Sequence, residues 1–346
     1  MLRSLDHEVI FYGGEGSEVD AHEFVQVISA GERSACYGDY DMAREFFRHD
    51  RSDAALELFN ANTIQAIRQR QQPGDFLLCS MGNYHQPVAQ AMYSFPLFVV
   101  EPGVGYEGVF AQFRAFESYA WMHYIYGRMG QLDGNWYDAV IPNYFDPVEF
   151  PLQTRKDDYA LFIGRIIRRK GLDVAVQVTR ALGLRLVVAG QGSLKSVDES
   201  LDIDDPHVEL VGSVGPQARA KLLGHARVVF APTYYIEPFG GVAVEAQLCG
   251  TPVITTDWGA FSETVVHGVT GYRCRTFDDF VWATQHVDEL DPLDCRAYAA
   301  ANYSLERVQC MFEEYFARIA DLARQGWYEP HPDRGDLNWL RMYHPR

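Results

Sequence analysis

The chain has 346 residues, 47% of them hydrophobic and 14% aromatic, with 30 Lys and Arg against 47 Asp and Glu for a formal net charge of −17. That length and apolar content suit two cores of ordinary size and make disorder the poorer expectation. An acidic chain repels phosphate backbones and anionic lipid surfaces, so neither nucleic acid nor a membrane surface is an expected partner. The six cysteines form no CxxC pair and several lie in apolar runs, which fits free thiols in a reducing compartment. The sequence has no apolar run of membrane-spanning length, and "MLRSLDHEVIFY" lacks a basic region followed by an apolar signal core. A soluble, cytoplasmic protein is the expectation.

In chain order, "HEVIFYG", "FVQVIS", "DFLLCSMG", "LFVVEPG" and "DAVIPN" read as strands of the first half. Between them "SDAALELFNANTIQAIRQR" reads as a helix, with Ser52 as its N-cap and "QQPGD" as its stop. "HQPVAQAMYS" reads as a shorter helix and "FAQFRAFESYAWMHYIYGRMG" as an aromatic-rich one. "GGEGSE" at 13–18 follows a strand, but its glutamates argue for a turn rather than an anion loop. The stretch "NYFDPVEFPLQTRKDD", with two prolines followed by charge, is the expected linker.

The rhythm of the second half is cleaner. "YALFIGR", "LRLVVAGQG", "VELVG", "VVFAP" and "PVITT" are continuous apolar strands, separated by "GLDVAVQVTRALG", "PQARAKLLGHA" and "GVAVEAQLCG" and followed by "TFDDFVWATQHVDEL", all helical in pattern. Apolar strands alternating with helices indicate parallel sheets covered on both faces. Two doubly wound domains facing across a cleft follow, with "NYSLERVQCMFEEYFARIADLARQG" as a further helix and 327–346 as a tail of no clear period.

Two loops carry chemistry. In "RVVFAPTYYIEPFGGVAVEAQLCG" a buried strand runs into a loop and then a helix closed by Gly250, and ligands of open parallel sheets bind at that carboxyl edge. Gly240 and Gly241 strip side chains from the helix start, so its free N–H groups can meet an anion. Glu237 in the loop and Glu245 in the helix offer carboxylates that suit vicinal sugar hydroxyls, although each could equally be a solvated surface charge. "YALFIGRIIRRKGLDVAV" repeats the plan with Arg165, Arg168, Arg169 and Lys170, groups that neutralise a diphosphate. Arg168 and Arg169 are equally well read as a solvated basic turn.

The segments "GRIIRRKGLDVAV", "VVAGQGS", "VELVGSV", "EPFGGVAVEAQLCGTPVITTDWGAFSETVVHGVTGY" and "AVIPNYFDPVEF" together resemble glycosyltransferase family 4, the retaining nucleotide-sugar transferases of GT-B fold. The resemblance is strong over roughly residues 140 to 320 and weaker before it. It implies an α/β chain of two Rossmann-like domains: an N-terminal acceptor-side domain over 1–145, a donor domain over 146–310, and a helix and tail over 311–346 packing back toward the first domain. It implies that Arg165 and Lys170 bind and neutralise the leaving diphosphate, Glu237 contacts the transferred sugar and Glu245 binds the ribose. Phe239, Gly240 and Gly241 would flank the sugar and phosphates. Gly190 and Gly192 would stand where the second strand's glycines meet the donor, and Gly212 and Val214 by the base. Asn143 matches a polar hinge position, or serves only as a turn residue.

The same resemblance implies a front-face mechanism in which the departing phosphate takes the acceptor's proton, with no cofactor and no metal. The partners would be a nucleotide-sugar, with UDP preferred over GDP, and a carbohydrate or other small hydroxyl acceptor; a homodimer is allowed. Where the family often carries a histidine this chain has Glu101 and Pro102. His85, His123, Glu101 and Glu107 are the nearby alternatives, and the aromatic run 110–126 is read as core. Only "MLRSL" precedes "DHEVIFYGGEGSE", so the first strand and glycine-rich loop of the N-terminal domain are expected to be missing. A nucleotide-sugar epimerase and a non-catalytic nucleotide-sugar binder are the alternative functions.

Overall fold

The computed structural model describes residues 2, 7–38, 49–197 and 199–325. The tail expected over 327–346 and most of the segment before His7 lie outside the described residues. In the N-terminal half β1 (Ile10–Gly14) pairs in parallel with β2 (Glu23–Ile28) as a separate two-stranded sheet. Helix α1 (Ala30–Tyr37) follows, started by a capping box between Ser29 and Glu32, then α2 (Ala54–Arg70). A second, four-stranded parallel sheet is ordered β3 (Phe76–Leu78), β4 (Phe98–Val104), β5 (Phe113–Phe116) and β6 (Asp138–Val140). Helix α3 (Gln86–Met92) lies between β3 and β4, and α4 (Tyr119–Met129) between β5 and β6.

Two expectations fail here for local reasons. The aromatic segment 110–130 is not one helix: Phe113–Phe116 is a fully buried strand, and Ser118 turns the chain into α4 by accepting from the Trp121 N–H at 3.1 Å. Ser52 does not cap α2, because its hydroxyl donates to Asp50 at 2.6 Å while Asp53 takes the cap position.

The C-terminal half holds β7 (Ala160–Ile163), α5 (Leu172–Leu182), β8 (Leu186–Ala189), a small antiparallel pair β9 (Lys195–Ser196) and β10 (Leu201–Asp202), and β11 (Val208–Gly212). It continues with α6 (Pro216–His225), β12 (Val228–Ala231), α7 (Gly241–Leu248), β13 (Val253–Thr256), α8 (Phe261–Thr264), β14 (Gly271–Cys274) and α9 (Phe277–His286). Six of these strands form one parallel sheet ordered β11-β8-β7-β12-β13-β14. Every residue of β7, β8, β12 and β13 is buried, as strands covered by helices on both faces must be. Gly250 stands one residue beyond the cap of α7, which is Cys249, and its φ of 73° is the left-handed value that position favours.

The chain passes twice between the halves, and the two passes hold each other. Phe145 N–H donates to the Tyr303 carbonyl and Leu305 N–H to the Phe145 carbonyl, both at 3.0 Å. Between these passes α10 (Pro292–Tyr303) belongs to the second half, and Arg296 on it donates to the carbonyls of Pro147, Phe150 and Leu248, pinning the expected linker. The final helix α11 (Leu305–Gln325) returns to the first half: Val308, Phe312, Tyr315, Phe316 and Ile319 form one apolar stripe against Val100, Phe113, Ala115 and Ile141.

Candidate functional site

The carboxyl ends of β7 and β12 are neighbours in the C-terminal sheet, and the two basic and acidic loops leave from them side by side. After β7 the chain makes a short 3-10 turn, Arg168–Lys170, before α5. After β12 it runs through Tyr234 and Tyr235 to Glu237. Lys170 Nζ donates to both Glu237 carboxylate oxygens, at 3.2 and 2.9 Å, and the two side chains are only 21% and 10% exposed. The ring of Tyr235 lies under Lys170 at 5.0 Å and under Arg169 at 4.7 Å. Burial first, and the neighbouring Glu237 carboxylate second, push the Tyr235 phenol well above its ordinary value, so it remains a donor.

Neither glutamate is a solvated surface charge: Glu237 is 7% exposed and Glu245 8%. Glu245 accepts two bonds from Arg219 of α6, both on Oε2. Burial raises its pKa and the Arg219 charge opposes that rise. Gly240 caps α7 with φ 75°, a conformation costly for any residue with a side chain. The Phe239 ring stacks on Phe145 with centroids 6.4 Å apart, and both residues line the cleft beside Glu237.

Across the cleft from Glu237 stands a residue that the sequence reading passed over. Glu117 follows β5 directly, and it shares a cleft of about 600 Å³ with Asn143, Glu237, Pro238, Gly240 and Gly241. Its carboxyl is raised above the usual range, chiefly by burial, with the Asn143 hydrogen bond opposing and the Glu237 charge adding to the rise. The signal lay in "RAFES": a carboxylate between an apolar strand and a Ser cap sits at a strand's carboxyl edge. Next to it Ser118 Oγ donates to the Pro238 carbonyl at 2.6 Å, and the N–H groups of Tyr119 and Ala120 donate to Glu263 at 3.0 and 2.8 Å. The two halves therefore meet through the N-terminus of α4, where a carboxylate is favoured.

Gly190 and Gly192 leave β8 against the exit of β7. A Cβ on Gly190 would stand 1.9 Å from the Gly164 carbonyl oxygen, so close backbone approach alone requires glycine there. Gly212 ends β11 and accepts from Gly190 N–H at 2.8 Å, and Val214 packs at the margin of the core beside α7. The remaining candidates are engaged elsewhere. Glu101 is fully buried and accepts from Tyr106 Oη, Phe110 N–H and Ala111 N–H at 2.8, 2.9 and 2.8 Å, so it holds its own loop. Glu107 pairs with Tyr124 and Arg128 at the surface. His85 stacks on Phe59, and burial lowers its pKa. His123 lies exposed between Tyr119 and Tyr126. Among the described residues no group of three or more His, Cys, Asp or Glu could hold a metal ion, and no helix is long and apolar enough to cross a membrane.

Comparison with known proteins bears on this arrangement. Residues 148–294 match the family Glycosyl transferases group 1. A glycogen synthase of Mycobacterium tuberculosis is 31% identical over 154 residues, 40% of this chain and 36% of the relative, so the chain spans about a third of that protein's length. Among solved structures, AviGT4, a glycosyltransferase involved in avilamycin A biosynthesis, superposes with a TM-score of 0.65 at 21% identity over 92% of this chain and 86% of that one. Anabaena HepE, solved in complex with UDP and glucose, gives a TM-score of 0.60 at 15% identity over 75% of this chain and 81% of its own. The chain has the GT-B fold, and its similarity to the glycosyl transferases group 1 family lies in residues 148–294.

Proposed function

We propose that the chain transfers a sugar, with retention, from a nucleoside diphosphate sugar to an acceptor hydroxyl, and that this needs no metal. The observation that carries the reading is the Lys170–Glu237 pair at 2.9 Å, with Glu237 sharing a cleft with the Gly240–Gly241 start of α7 and Arg165 on the same β7 loop as Lys170. Cation, anion-binding helix start and carboxylate are the three groups that hold a diphosphate and its sugar. In the free protein the pair neutralises itself. A donor diphosphate would compete for Lys170, and Glu237 would then accept from the hydroxyls of the sugar. Glu245 has Arg219 on one oxygen and the other to receive a ribose hydroxyl. The group 1 match over 148–294 agrees with a donor side in the second half, and HepE with UDP makes UDP our preferred base.

The acceptor hydroxyl attacks the anomeric carbon on the face the phosphate leaves. The carbon–phosphate oxygen bond breaks, the new glycosidic bond forms, and the hydroxyl proton passes to the departing phosphate. Arg165, Lys170 and the α7 N-terminus carry the charge that develops there. Glu117, its carboxyl raised above the ordinary range chiefly by burial, faces the sugar and acceptor from the opposite wall of the cleft. The test is incubation with UDP-glucose and a panel of hydroxyl acceptors, with the anomeric configuration of any product read by proton NMR. A product of inverted configuration, or wild-type turnover in both Glu237→Gln and Lys170→Ala, overturns the reading.

A further inference from the structure

Three guanidinium groups stand together at the same sheet edge without carboxylate partners. Arg165, Arg168 and Arg169 are exposed and line a cavity of about 530 Å³ with Ile167, Glu199 and Tyr234. None of the three forms an ion pair with a described residue. Several other arginines of this chain of net charge −17 are met by carboxylates, among them Arg114 by Asp138, Arg180 by Asp205, Arg185 by Glu209, Arg219 by Glu245 and Arg227 by Asp288. An acidic chain that leaves adjacent cations unneutralised in one cavity keeps like charges together at a cost, which a bound anion relieves.

The cavity is shaped for that. Glu199 is a carboxylate at its wall, and its Oε2 accepts from the Arg168 backbone N–H at 3.0 Å, fixing the turn that carries the arginines. Arg169 lies over the Tyr235 ring at 4.7 Å, and its carbonyl accepts from the Tyr234 N–H at 2.9 Å. Tyr234 Oη is itself held, donating to Asp173 at 2.8 Å. Guanidinium forks held in this way match phosphate or carboxylate oxygens two at a time. Arg165 and Lys170 suffice for a diphosphate in the reading above, which leaves Arg168 and Arg169 over. Tyr235 links Arg169 to the Lys170–Glu237 pair, so an anion at these arginines lies beside the transfer centre.

We propose that Arg168 and Arg169, with Tyr234, form a subsite for an oxyanion carried by the acceptor, either a phosphate or a carboxylate. The proposal rests on the reading of Arg165 and Lys170 as the donor-diphosphate seat. The full chain, saturated with UDP so that this seat is filled, is titrated calorimetrically with glucose, glucose 6-phosphate and glucuronate. At least one of the anionic sugars should bind tenfold or more tightly than glucose, and the stronger of the two says whether phosphate or carboxylate is preferred. Arg168→Ser/Arg169→Ser should abolish the preference while UDP affinity stays within threefold and the melting temperature is unchanged. The preference should also weaken as salt is raised.

Equal binding of glucose and both anionic sugars overturns the proposal, as does a preference that survives the double substitution. A collapse of UDP affinity in the double variant also overturns it, by assigning these arginines to the diphosphate. Comparing UDP-glucose with UDP-glucuronate covers the remaining source: a preference of the arginines for the charged donor, with none for charged acceptors, places the anion on the donor and contradicts the proposal. If UDP itself does not bind the wild type, the donor reading fails, and the anion preference of the unliganded protein still decides for or against this subsite.

Discussion

The two halves of the molecule are built on the same strand–helix plan and held by different means. The C-terminal sheet is one surface of six parallel strands, four of them buried along their whole length between two apolar layers. The N-terminal half divides its parallel strands into a pair and a sheet of four, and its outer strands are half-exposed. The N-terminal sheet is packed by the stripe of α11 and by smaller apolar clusters around α2, α3 and α4, and the Arg114–Asp138 pair joins β5 to β6. A continuous sheet suits a rigid donor seat. A half tied by few polar contacts, and joined to the other through α4, suits a wall that adjusts to different acceptors.

This contrast predicts that the largest single loss of stability comes from one polar residue of the first half. Asp138 is bound by Arg114 at 2.8 and 2.7 Å, by Tyr126 Oη at 2.6 Å and by Asn135, with its side chain 1% exposed. Asp138→Ala leaves a buried guanidinium uncompensated and should cost about 3–5 kcal/mol in denaturant unfolding. Next in size is the activity effect at the rigid edge. Glu237→Gln or Lys170→Ala should lower transfer about 10²–10³-fold with only small changes in unfolding midpoint, because the surrounding strands do not depend on that pair. Apolar truncation should rank the halves the other way round: Leu186→Ala in the buried β8 should cost about 2–5 kcal/mol, against about 1–2 kcal/mol for the half-buried Leu77→Ala of β3. Equal losses would break the comparison.

The buried thiols sharpen it through pH. Burial pushes Cys274 and Cys295 up to about 12 and Cys249 to about 11 in the second half, and Cys79 to about 12 in the first. In the unfolded chain they ionise near their ordinary value, ~8.5. The folded state then holds more protons than the unfolded state, so stability present below about pH 8.5 is lost as pH rises toward 11 or 12. Lys156, lowered to about 8 by burial, acts in the opposite sense, one group against four. The melting temperature should fall between pH 9 and 11, and replacing the three C-terminal-half thiols by Ala should flatten that fall. Smallest of all is the contact between the halves: Glu263→Gln removes a charge from the α4 N-terminus and should cost about 0.5–1 kcal/mol, raising KM a few-fold with kcat nearly unchanged.

The same contrast explains what could be read in the sequence. Strands buried on both faces are continuous apolar runs, so "ALFI", "LVVA", "VVFA" and "VITT" announced themselves. The strand "FRAF" did not, because its arginine is buried through a partner 24 positions later and only Glu117 and Ser118 separate it from the aromatic α4, so the two read as one helix. β14 and α10 were missed for a similar reason, since "GYRC" is short and "PLDCRAYAAANY" has a weak period. At the site, Lys170 and Glu237 were legible from loop chemistry at strand ends. Glu117 was legible only as a carboxylate at a strand end in "RAFES"; that it faces Glu237 depends on the two halves meeting, which no local pattern encodes.

The central claim, that the carboxyl edge of β7 and β12 seats a nucleoside diphosphate, is tested most directly by thermal-shift and calorimetric titration of the full chain with UDP, GDP, ADP and dTDP. The account predicts one-to-one binding of at least one, UDP first, raising the melting temperature with concentration and lost in Lys170→Ala. No binding by any of the four, or undiminished binding in Lys170→Ala, would contradict it.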